Sequence, residues 1–161
     1  MDIQEIEGKL NFLREAGRLK DVLRSSHTSS GRPESTAEHS WRLCLMAFVF
    51  EPLLVGVDML KVIKMCLVHD LGEAIHGDIP AVNKASHPNK SQQEREDLLL
   101  LTLALDETSK AEILGLWNEY ECALTPEAKT VKALDKLETI LQHNQGENPP
   151  DFDYEFNLSY G

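Results

Sequence analysis

Four polar residues lie on or beside rows of apolar residues that are spaced three or four positions apart. Side chains of their types can bind a metal ion. The four residues are His39, His69, Asp70 and Asp135. Neutral imidazole rings and carboxylates are common ligands of divalent cations. A buried polar group without a partner costs about 1–3 kcal/mol, so these four side chains require partners. The spacing leaves two interpretations open: a metal site, or polar core residues that bond to one another.

The rows that carry these residues predict helices. His39 begins a row of apolar residues that continues at steps of four, three and four to Phe50. His69 ends a second row of this kind, and Asp135 borders a third. Side chains three or four residues apart share one face of an α-helix. Two histidines and two aspartates therefore point inward from three separate helices.

Helical periodicity dominates the whole chain, and no sustained alternation predicts a strand. Ser35 and Glu38 match a capping box before the second helix, and Thr125-Pro126 is a typical start for the sixth. Residues 25–34 are predicted as a polar loop, and 72–90 as a long irregular, functional loop that can include short helical turns. The fold class is therefore all-α. The predicted helices cover about residues 3–24, 36–50, 59–69, 91–105, 110–122 and 125–143.

A length of 161 residues suits a single domain. We assign residues 1–145 to this domain and 146–161 to a C-terminal tail whose packing the sequence does not predict. The histidines outside the apolar rows are expected at the surface of the protein. They are His27, His76, His87 and His143.

The charge of the chain excludes some classes of partner. It carries 16 basic residues against 27 acidic ones, a net charge of −11 with neutral histidines. Such a chain is repelled by phosphate backbones and anionic lipids, which argues against nucleic-acid polymers and membrane surfaces. No apolar run is long enough for a membrane span, and the first residues lack a signal-peptide pattern. The odd number of cysteines favours free thiols, so we expect a cytoplasmic protein.

The residues around the four candidate ligands form a more specific pattern than their spacing alone. His39 and His69 are separated by 30 residues, and Asp70 and Asp135 by 65. Their surroundings read AEHSWR at 37–42, HDLGEA at 69–74, GDIP at 77–80 and KALDKLE at 132–138. Together these motifs resemble the HD-domain phosphohydrolases, in the branch of the bacterial 5′-deoxynucleotidases and HD-domain-containing protein 2. The resemblance covers about residues 8–145.

This resemblance implies an HD-domain helical bundle of about six helices that binds one divalent metal ion. The ligands would be His39, His69, Asp70 and Asp135. A divalent ion lowers the pKa of a bound water and polarises a phosphoryl oxygen. It would also supply the local positive charge that an acidic protein needs to handle a phosphate.

The resemblance also implies roles for three further residues. Glu73 and Asp78 would be catalytic carboxylates that orient or deprotonate the attacking water, and Asp78 would contact the sugar. Arg24 matches an arginine that the family uses near the substrate phosphate. The family pattern tends to continue there with Gly-Trp, whereas this chain has Ser25-Ser26-His27. The family's stacking tryptophan is therefore not expected here.

The expected function is removal of the 5′-phosphate from deoxynucleoside monophosphates, with a small-molecule nucleotide as the substrate. Two alternatives remain: another nucleotide, such as a phosphodiester, a triphosphate or a signal nucleotide, or a non-catalytic binding protein with the same fold. Few basic residues are expected at the rim, namely Arg24, Arg32, Lys84 and Lys90, which favours a monophosphate. We also expect a homodimer, because relatives tend to dimerise and the leucines of 98–105 exceed one helix face.

Overall fold

The computed structural model describes residues 2–79 and 88–159. Helices dominate these residues and confirm the all-α class, with one small antiparallel hairpin of strands β1 (Leu23–His27) and β2 (Pro33–Ser35). Short 3-10 turns cover Gly17–Lys20, Glu51–Leu53 and Thr102–Ala104. The α-helices are α1 (Ile3–Ala16), α2 (Thr36–Phe50), α3 (Met59–Val68), α4 (Glu73–His76), α5 (Lys90–Leu101), α6 (Glu107–Cys122), α7 (Pro126–Gln145) and α8 (Tyr154–Ser159).

The helices that carry the candidate ligands begin where the capping patterns predict. The Ser35 hydroxyl accepts a hydrogen bond from the Glu38 backbone N–H, and the Glu38 carboxylate accepts one from the Ser35 backbone N–H. This reciprocal pair satisfies two of the backbone donors that a helix start leaves open. At the start of α7 the Thr125 hydroxyl accepts from the Ala128 backbone N–H at 3.2 Å. The starts of α2 and α7 are therefore fixed locally by sequence.

Two parts of the helix prediction are wrong. The first helix ends at Ala16 rather than near residue 24. Residues 25–34 do not form a simple loop, because β1 pairs with β2 from Leu23 opposite Ser35 to His27 opposite Pro33. These strands are short and rich in polar residues, so they lack the alternation that identifies strands in a sequence. The turn between them places Gly31 at a φ of +79°, a conformation that glycine adopts without strain.

Two short helices lie outside the six predicted ones. Helix α4 is a single helical turn inside the segment 72–90, as the prediction for that segment allowed, and residues 80–87 of the segment lie outside the described residues. Helix α8 lies in the C-terminal tail. The tail packs back on α7, since the Phe152 ring contacts the His143 ring edge-on with 4.9 Å between centroids.

The packing of α2, α3 and α7 brings the predicted ligand rows together. Helix α2 contacts both α3 and α7, and α3 also contacts α7. Leu43 of α2, Met65 of α3 and Val131 of α7 are fully buried in one apolar cluster with part of α6. A second apolar cluster packs Leu98 and Leu101 of α5 and Trp117 of α6 against Leu19 of the 3-10 turn after α1. No helix within residues 2–79 and 88–159 has the length and apolar character to cross a membrane.

The turn between α3 and α4 sits directly against α5. A Cβ atom at Gly72 would lie 2.5 Å from the backbone oxygen of Glu94. Only glycine allows this approach, which sets the position of α4 relative to α5.

We predict that Gly72→Ala lowers the free energy of unfolding by about 1–3 kcal/mol, because the added methyl group forces the two backbones apart. Gly115→Ala is the matched control, since Gly115 lies inside α6 with open space around it. Alanine there is expected to stabilise the protein by about 0.5–1 kcal/mol. Thermal and denaturant unfolding followed by circular dichroism measure both changes. Equal stability of the two variants would contradict the close contact at Gly72.

Candidate metal centre and active site

The structure brings the four candidate ligands to one point between α2, α7 and the C-terminal end of α3. The His39 Nε2 atom lies 3.1 Å from Asp135 Oδ1 and 3.8 Å from Asp70 Oδ2. His69 Nε2 lies 3.1 Å from the same Asp70 oxygen. Both histidine rings are almost completely buried. We call these four side chains the ligand cluster.

The inner atoms of the ligand cluster are short of hydrogen bonds. Within the described residues, His39 Nε2, His69 Nε2 and Asp70 Oδ2 are buried and make no hydrogen bond of acceptable geometry. These ligand atoms all lie within 4.8 Å of one another. Two nitrogens and a carboxylate oxygen that converge in this way leave a position which a divalent cation can fill. The residues present therefore fit a metal ion.

The electrostatics of the ligand cluster also favour a cation. Burial opposes ionisation of Asp135, but the close approach of His39 and the charge of His69 lower its pKa to about 2. Burial likewise opposes ionisation of Asp70, yet the two histidines and Arg24 hold its pKa well below the usual range. Asp70 in turn raises the pKa of His69 to about 9 against the effect of burial. Both carboxylates are thus ionised at neutral pH.

The Nδ1 atom of each histidine ring makes a hydrogen bond to a fixed partner outside the ligand cluster. His39 Nδ1 donates to Glu138 Oε2 at 2.6 Å, and Glu138 is fully buried with Arg42 Nε 3.6 Å from its other oxygen. His69 Nδ1 donates to the backbone oxygen of Cys66 at 2.9 Å. A ring that donates through Nδ1 keeps the Nε2 lone pair for a ligand in its neutral form. Both histidines therefore present Nε2 to the centre of the cluster.

Tyr120 of α6 contacts two members of the ligand cluster. Its hydroxyl donates to Asp135 Oδ2 at 2.9 Å, and its ring meets the His69 ring edge-on at 5.1 Å. Lys132 Nζ lies 3.8 Å above the centre of the tyrosine ring. Burial raises the pKa of the Tyr120 phenol, so it stays protonated and remains a donor. Asp135 is thereby fixed by one oxygen while the other faces His39.

A cavity of about 300 Å³ lies beside the ligand cluster, and we call it the central cavity. Asp70, His69 and Asp135 form part of its wall, whereas the fully buried His39 reaches the cluster from behind. Arg24, Glu73 and Asp78 also line it. The structure thus gathers all seven predicted site residues around one space.

Glu73 and Asp78 share a cationic partner at the start of α5. Lys90 Nζ lies 3.4 Å from Glu73 Oε1, 3.7 Å from Asp78 Oδ1 and 3.2 Å from a Glu94 oxygen. The other Glu73 oxygen accepts a hydrogen bond from the Thr36 hydroxyl at 3.2 Å. Burial, followed by the charges of Asp70 and Asp78, raises the pKa of Glu73 to about 9, with Lys90 opposing. Glu73 is therefore buried, oriented and more basic than an ordinary glutamate.

Arg24 reaches the ligand cluster from strand β1. Its Nη1 atom lies 3.6 Å from Asp70 Oδ2, and its Nη2 donates to the Thr139 hydroxyl at 3.2 Å. Its Nε lies 3.6 Å from Glu34 Oε2, a carboxylate on the paired strand β2. The hairpin that the sequence did not predict thus positions a predicted site residue.

The cations around the cavity differ from the predicted set. Arg32 pairs with Glu38 away from the cavity, and Lys84 lies outside the described residues. Lys132 and Lys136 of α7 line the cavity instead, together with Lys90 and Arg24. Lys132 and Lys136 were not among the predicted rim residues, because they flank Asp135 on a helix face whose exposure the sequence does not give.

Comparison with known proteins identifies the family to which this arrangement belongs. The family model of the HD domain matches residues 16–161. That match covers most of the chain.

The chain belongs to the HD-domain family.

Its relatives include enzymes and a solved structure. The HD domain is 36% identical over 144 residues to the 5′-deoxynucleotidase HDDC2 of Danio rerio, covering 88% of this chain and 71% of that protein. It is 37% identical to the 5′-deoxynucleotidase HDDC2 of Homo sapiens, covering 86% of this chain and 68% of that protein. A predicted metal-dependent phosphohydrolase from Magnetospirillum magnetotacticum shares the fold with a TM-score of 0.80 at 33% identity. The match covers 86% of this chain and 70% of that one. The resemblance stated from the motifs is therefore confirmed at the level of the family.

Two residues of this HD domain that support the cluster were missed in the sequence. Glu138 follows Asp135 by three residues, so helical spacing alone places the two on neighbouring rows of α7. A glutamate on a predicted buried helix face requires a partner, so the sequence could have indicated a supporting role for Glu138. Tyr120 has no such signal, because its contact with Asp135 depends on how α6 packs against α7.

We predict that Glu138→Gln weakens binding of Mn²⁺ or Co²⁺ by about 10–100-fold, because an amide orients and polarises His39 less than a carboxylate. Asp97→Asn is the matched control. Asp97 is also buried and accepts from a histidine, His76 Nδ1 at 2.7 Å, but neither residue of that pair lines the central cavity. Calorimetric titration of each metal-free protein measures the affinities. Equal weakening in both variants, or none in Glu138→Gln, would contradict the support role.

Proposed function

We propose that this HD domain is a metal-dependent phosphomonoesterase that removes the 5′-phosphate of deoxynucleoside monophosphates. The observation that supports this most is the convergence of unsatisfied ligand atoms beside a cavity that also holds Glu73, Asp78 and Arg24. The names of the related enzymes support the choice of substrate class. A non-catalytic binding protein would have no need for this combination.

In this proposal one divalent metal ion binds between His39, His69, Asp70 and Asp135. The mixed set of imidazole nitrogens and carboxylate oxygens suits ions such as Mn²⁺, Fe²⁺, Co²⁺, Ni²⁺, Zn²⁺ or Mg²⁺. The ion would lower the pKa of water and polarise a phosphoryl oxygen. Side chains of the protein would act as the general base and bind the phosphate and the sugar of the substrate.

Glu73 is the proposed general base for the attacking water. Thr36 and Lys90 hold its two oxygens, so the carboxylate has a fixed orientation beside the ligand cluster. A base must be ionised before it accepts a proton. Added positive charge at Asp70 would favour the ionised form of Glu73, because the charge of Asp70 contributes to its raised pKa. General-base catalysis of this kind contributes about 10²–10⁴-fold.

Arg24 is the proposed phosphate ligand. Glu34 and Thr139 hold its guanidinium beside Asp70, so its donors face the place where a phosphate next to the ligand cluster would lie. A planar guanidinium forms paired hydrogen bonds with phosphate oxygens. Asp78 is the proposed sugar contact, and its Oδ1 atom lies 3.7 Å from Lys90 Nζ. In this proposal Arg24 binds the phosphate of the substrate and Asp78 binds the sugar.

A monophosphate suits the charges of the cavity better than a triphosphate. Lys90 faces three carboxylates, and Lys132 lies 3.8 Å from Glu121. These acids offset most of the positive charge that extra phosphates would require. The cavity volume of about 300 Å³ is also at the small end for ligand sites.

We predict phosphate release from the four deoxynucleoside 5′-monophosphates in the presence of Mn²⁺ or Co²⁺. Glu73→Gln should lower kcat by about 10²–10⁴-fold while metal content stays at the wild-type level, because Glu73 acts on water and not on the metal. Asp97→Asn is again the control and should keep full turnover. Turnover of triphosphates or phosphodiesters without turnover of monophosphates would overturn the substrate class. Full turnover in Glu73→Gln would overturn its role.

We further propose a cytoplasmic homodimer. Of the leucines of 98–105, Leu98, Leu101 and Leu105 are buried in the core of one chain, whereas Leu100 and Leu103 are exposed. We place the interface on a second exposed apolar surface, on α2 opposite its buried face. It consists of Trp41, Leu45, Phe48 and Val49. Contiguous exposed apolar surface of this kind marks interaction sites. The three thiols are unpaired, which suits a reducing compartment.

Light scattering tests this assembly and should give the mass of two chains. Phe48→Glu should give the mass of one chain, because a charge cannot be buried between two copies without cost. Leu103→Glu is the matched control, since both side chains are 65% exposed and Leu103 lies outside α2. A wild-type monomer at high micromolar concentration, or dissociation by Leu103→Glu alone, would contradict the α2 interface.

A further inference from the structure

His143 is buried in the wall of the central cavity, contrary to the surface position expected from the sequence. Its side chain lies on α7 with only 6% of the residue exposed. It follows Asp135 by eight residues, which places it about 12 Å further along the helix axis. Asp135, Thr139 and His143 all line the central cavity. The cavity therefore runs along α7 from the ligand cluster to this histidine.

One nitrogen of the His143 ring makes no hydrogen bond within the described residues. Its Nε2 atom is buried and has no hydrogen-bond partner among residues 2–79 and 88–159. Buried polar atoms are normally paired, so a lone one in a cavity wall indicates a ligand that completes it. Burial, reinforced by the charge of Arg24, lowers the pKa of His143, so the ring is neutral at neutral pH. A neutral ring offers one N–H donor and one acceptor.

The C-terminal tail holds this ring in place. Phe152 packs edge-on against it with 4.9 Å between ring centroids. Asn148 Nδ2 donates to the His143 backbone oxygen at 2.6 Å. A side chain that is fixed from behind loses little conformational freedom when a ligand binds in front of it.

The two ends of the central cavity differ in charge. Around Lys90 and Lys132 the wall also carries Glu94 and Glu121, so that end is ionic. Around Arg24 and His143 the wall carries no carboxylate among its described lining residues other than those of the ligand cluster, and it combines one lysine with neutral polar groups. They are Lys136, Ser25, Ser26 and Thr139. A nucleobase is uncharged at neutral pH and has polar edges, so these groups suit it better than the ionic end.

We propose that His143 is a specificity residue that hydrogen-bonds the polar edge of the nucleobase through Nε2. This inference rests on the proposed 5′-nucleotidase function, since it requires the substrate phosphate to lie at the ligand cluster. The phosphate beside Arg24 and the base beside His143 then lie along α7, with the sugar between them and in contact with Asp78 across the cavity.

The test compares nucleotides with 2-deoxyribose 5-phosphate, which carries the same phosphate and sugar without a base. His143→Phe keeps a planar ring but removes both nitrogens, and should lower kcat/KM for the preferred deoxynucleoside monophosphate about tenfold, chiefly through KM. Its kcat/KM for 2-deoxyribose 5-phosphate should equal that of wild type. His143→Gln retains an amide at the position of Nε2 and should recover part of the loss. Asn144→Ala changes the next, exposed residue of α7 and should behave as wild type.

The outcomes separate this inference from the function beneath it. If wild type hydrolyses deoxynucleoside monophosphates but His143→Phe retains the same kcat/KM for all four, base recognition by His143 is wrong and the proposed function stands. A loss that is equal for 2-deoxyribose 5-phosphate also overturns it, because the residue then acts on the phosphate or the fold. If wild type hydrolyses none of the four monophosphates, the proposed function fails and this inference fails with it. Metal content and melting temperature are measured on each variant, and both should be unchanged.

Discussion

The structure depends on a contact between three helices that is filled by polar groups instead of hydrocarbon. Where α2, α3 and α7 meet, two imidazole rings and two carboxylates replace apolar side chains. Burying such groups costs free energy unless each finds a partner. Ion pairs among them recover part of that cost, but inner atoms of His39, His69 and Asp70 stay unsatisfied within the described residues. A divalent cation would satisfy all of them, so metal binding and stability of the helix contact are coupled.

The geometry of the ligand cluster is set from outside by three unlike groups. A buried carboxylate holds His39, a backbone oxygen holds His69, and a phenol holds Asp135. The Glu138 contact ties α2 to α7, the Tyr120 contact ties α7 to α6, and the Cys66 contact fixes the His69 ring at the end of its own helix α3. Partners of this kind fix ring orientation and ligand basicity. The side chains of the cluster are therefore oriented before a metal ion arrives.

The sequence predicted those parts of the molecule that depend on local pattern. Capping residues and apolar rows located six helices, and the motifs around His39, His69, Asp70 and Asp135 located the ligand cluster. The hairpin that carries Arg24 was missed because its five- and three-residue strands have no periodicity of their own. Tyr120 and His143 were missed for another reason. Their environment is created by how α6 and the tail pack on α7, and burial of this kind is a tertiary property.

The charge distribution explains how an acidic protein can attract a phosphate at one place only. The cations at the central cavity face carboxylates: Arg24 faces Asp70 and Glu34, Lys90 faces Glu73, and Lys132 faces Glu121. Without a metal ion these pairs leave little free positive charge for an anion. A divalent ion at Asp70 and Asp135 would add two positive charges where those carboxylates otherwise offset Arg24. Phosphate affinity should therefore depend on prior occupation by the cation, which restricts binding to the loaded site while the remaining acidic surface repels nucleic acids.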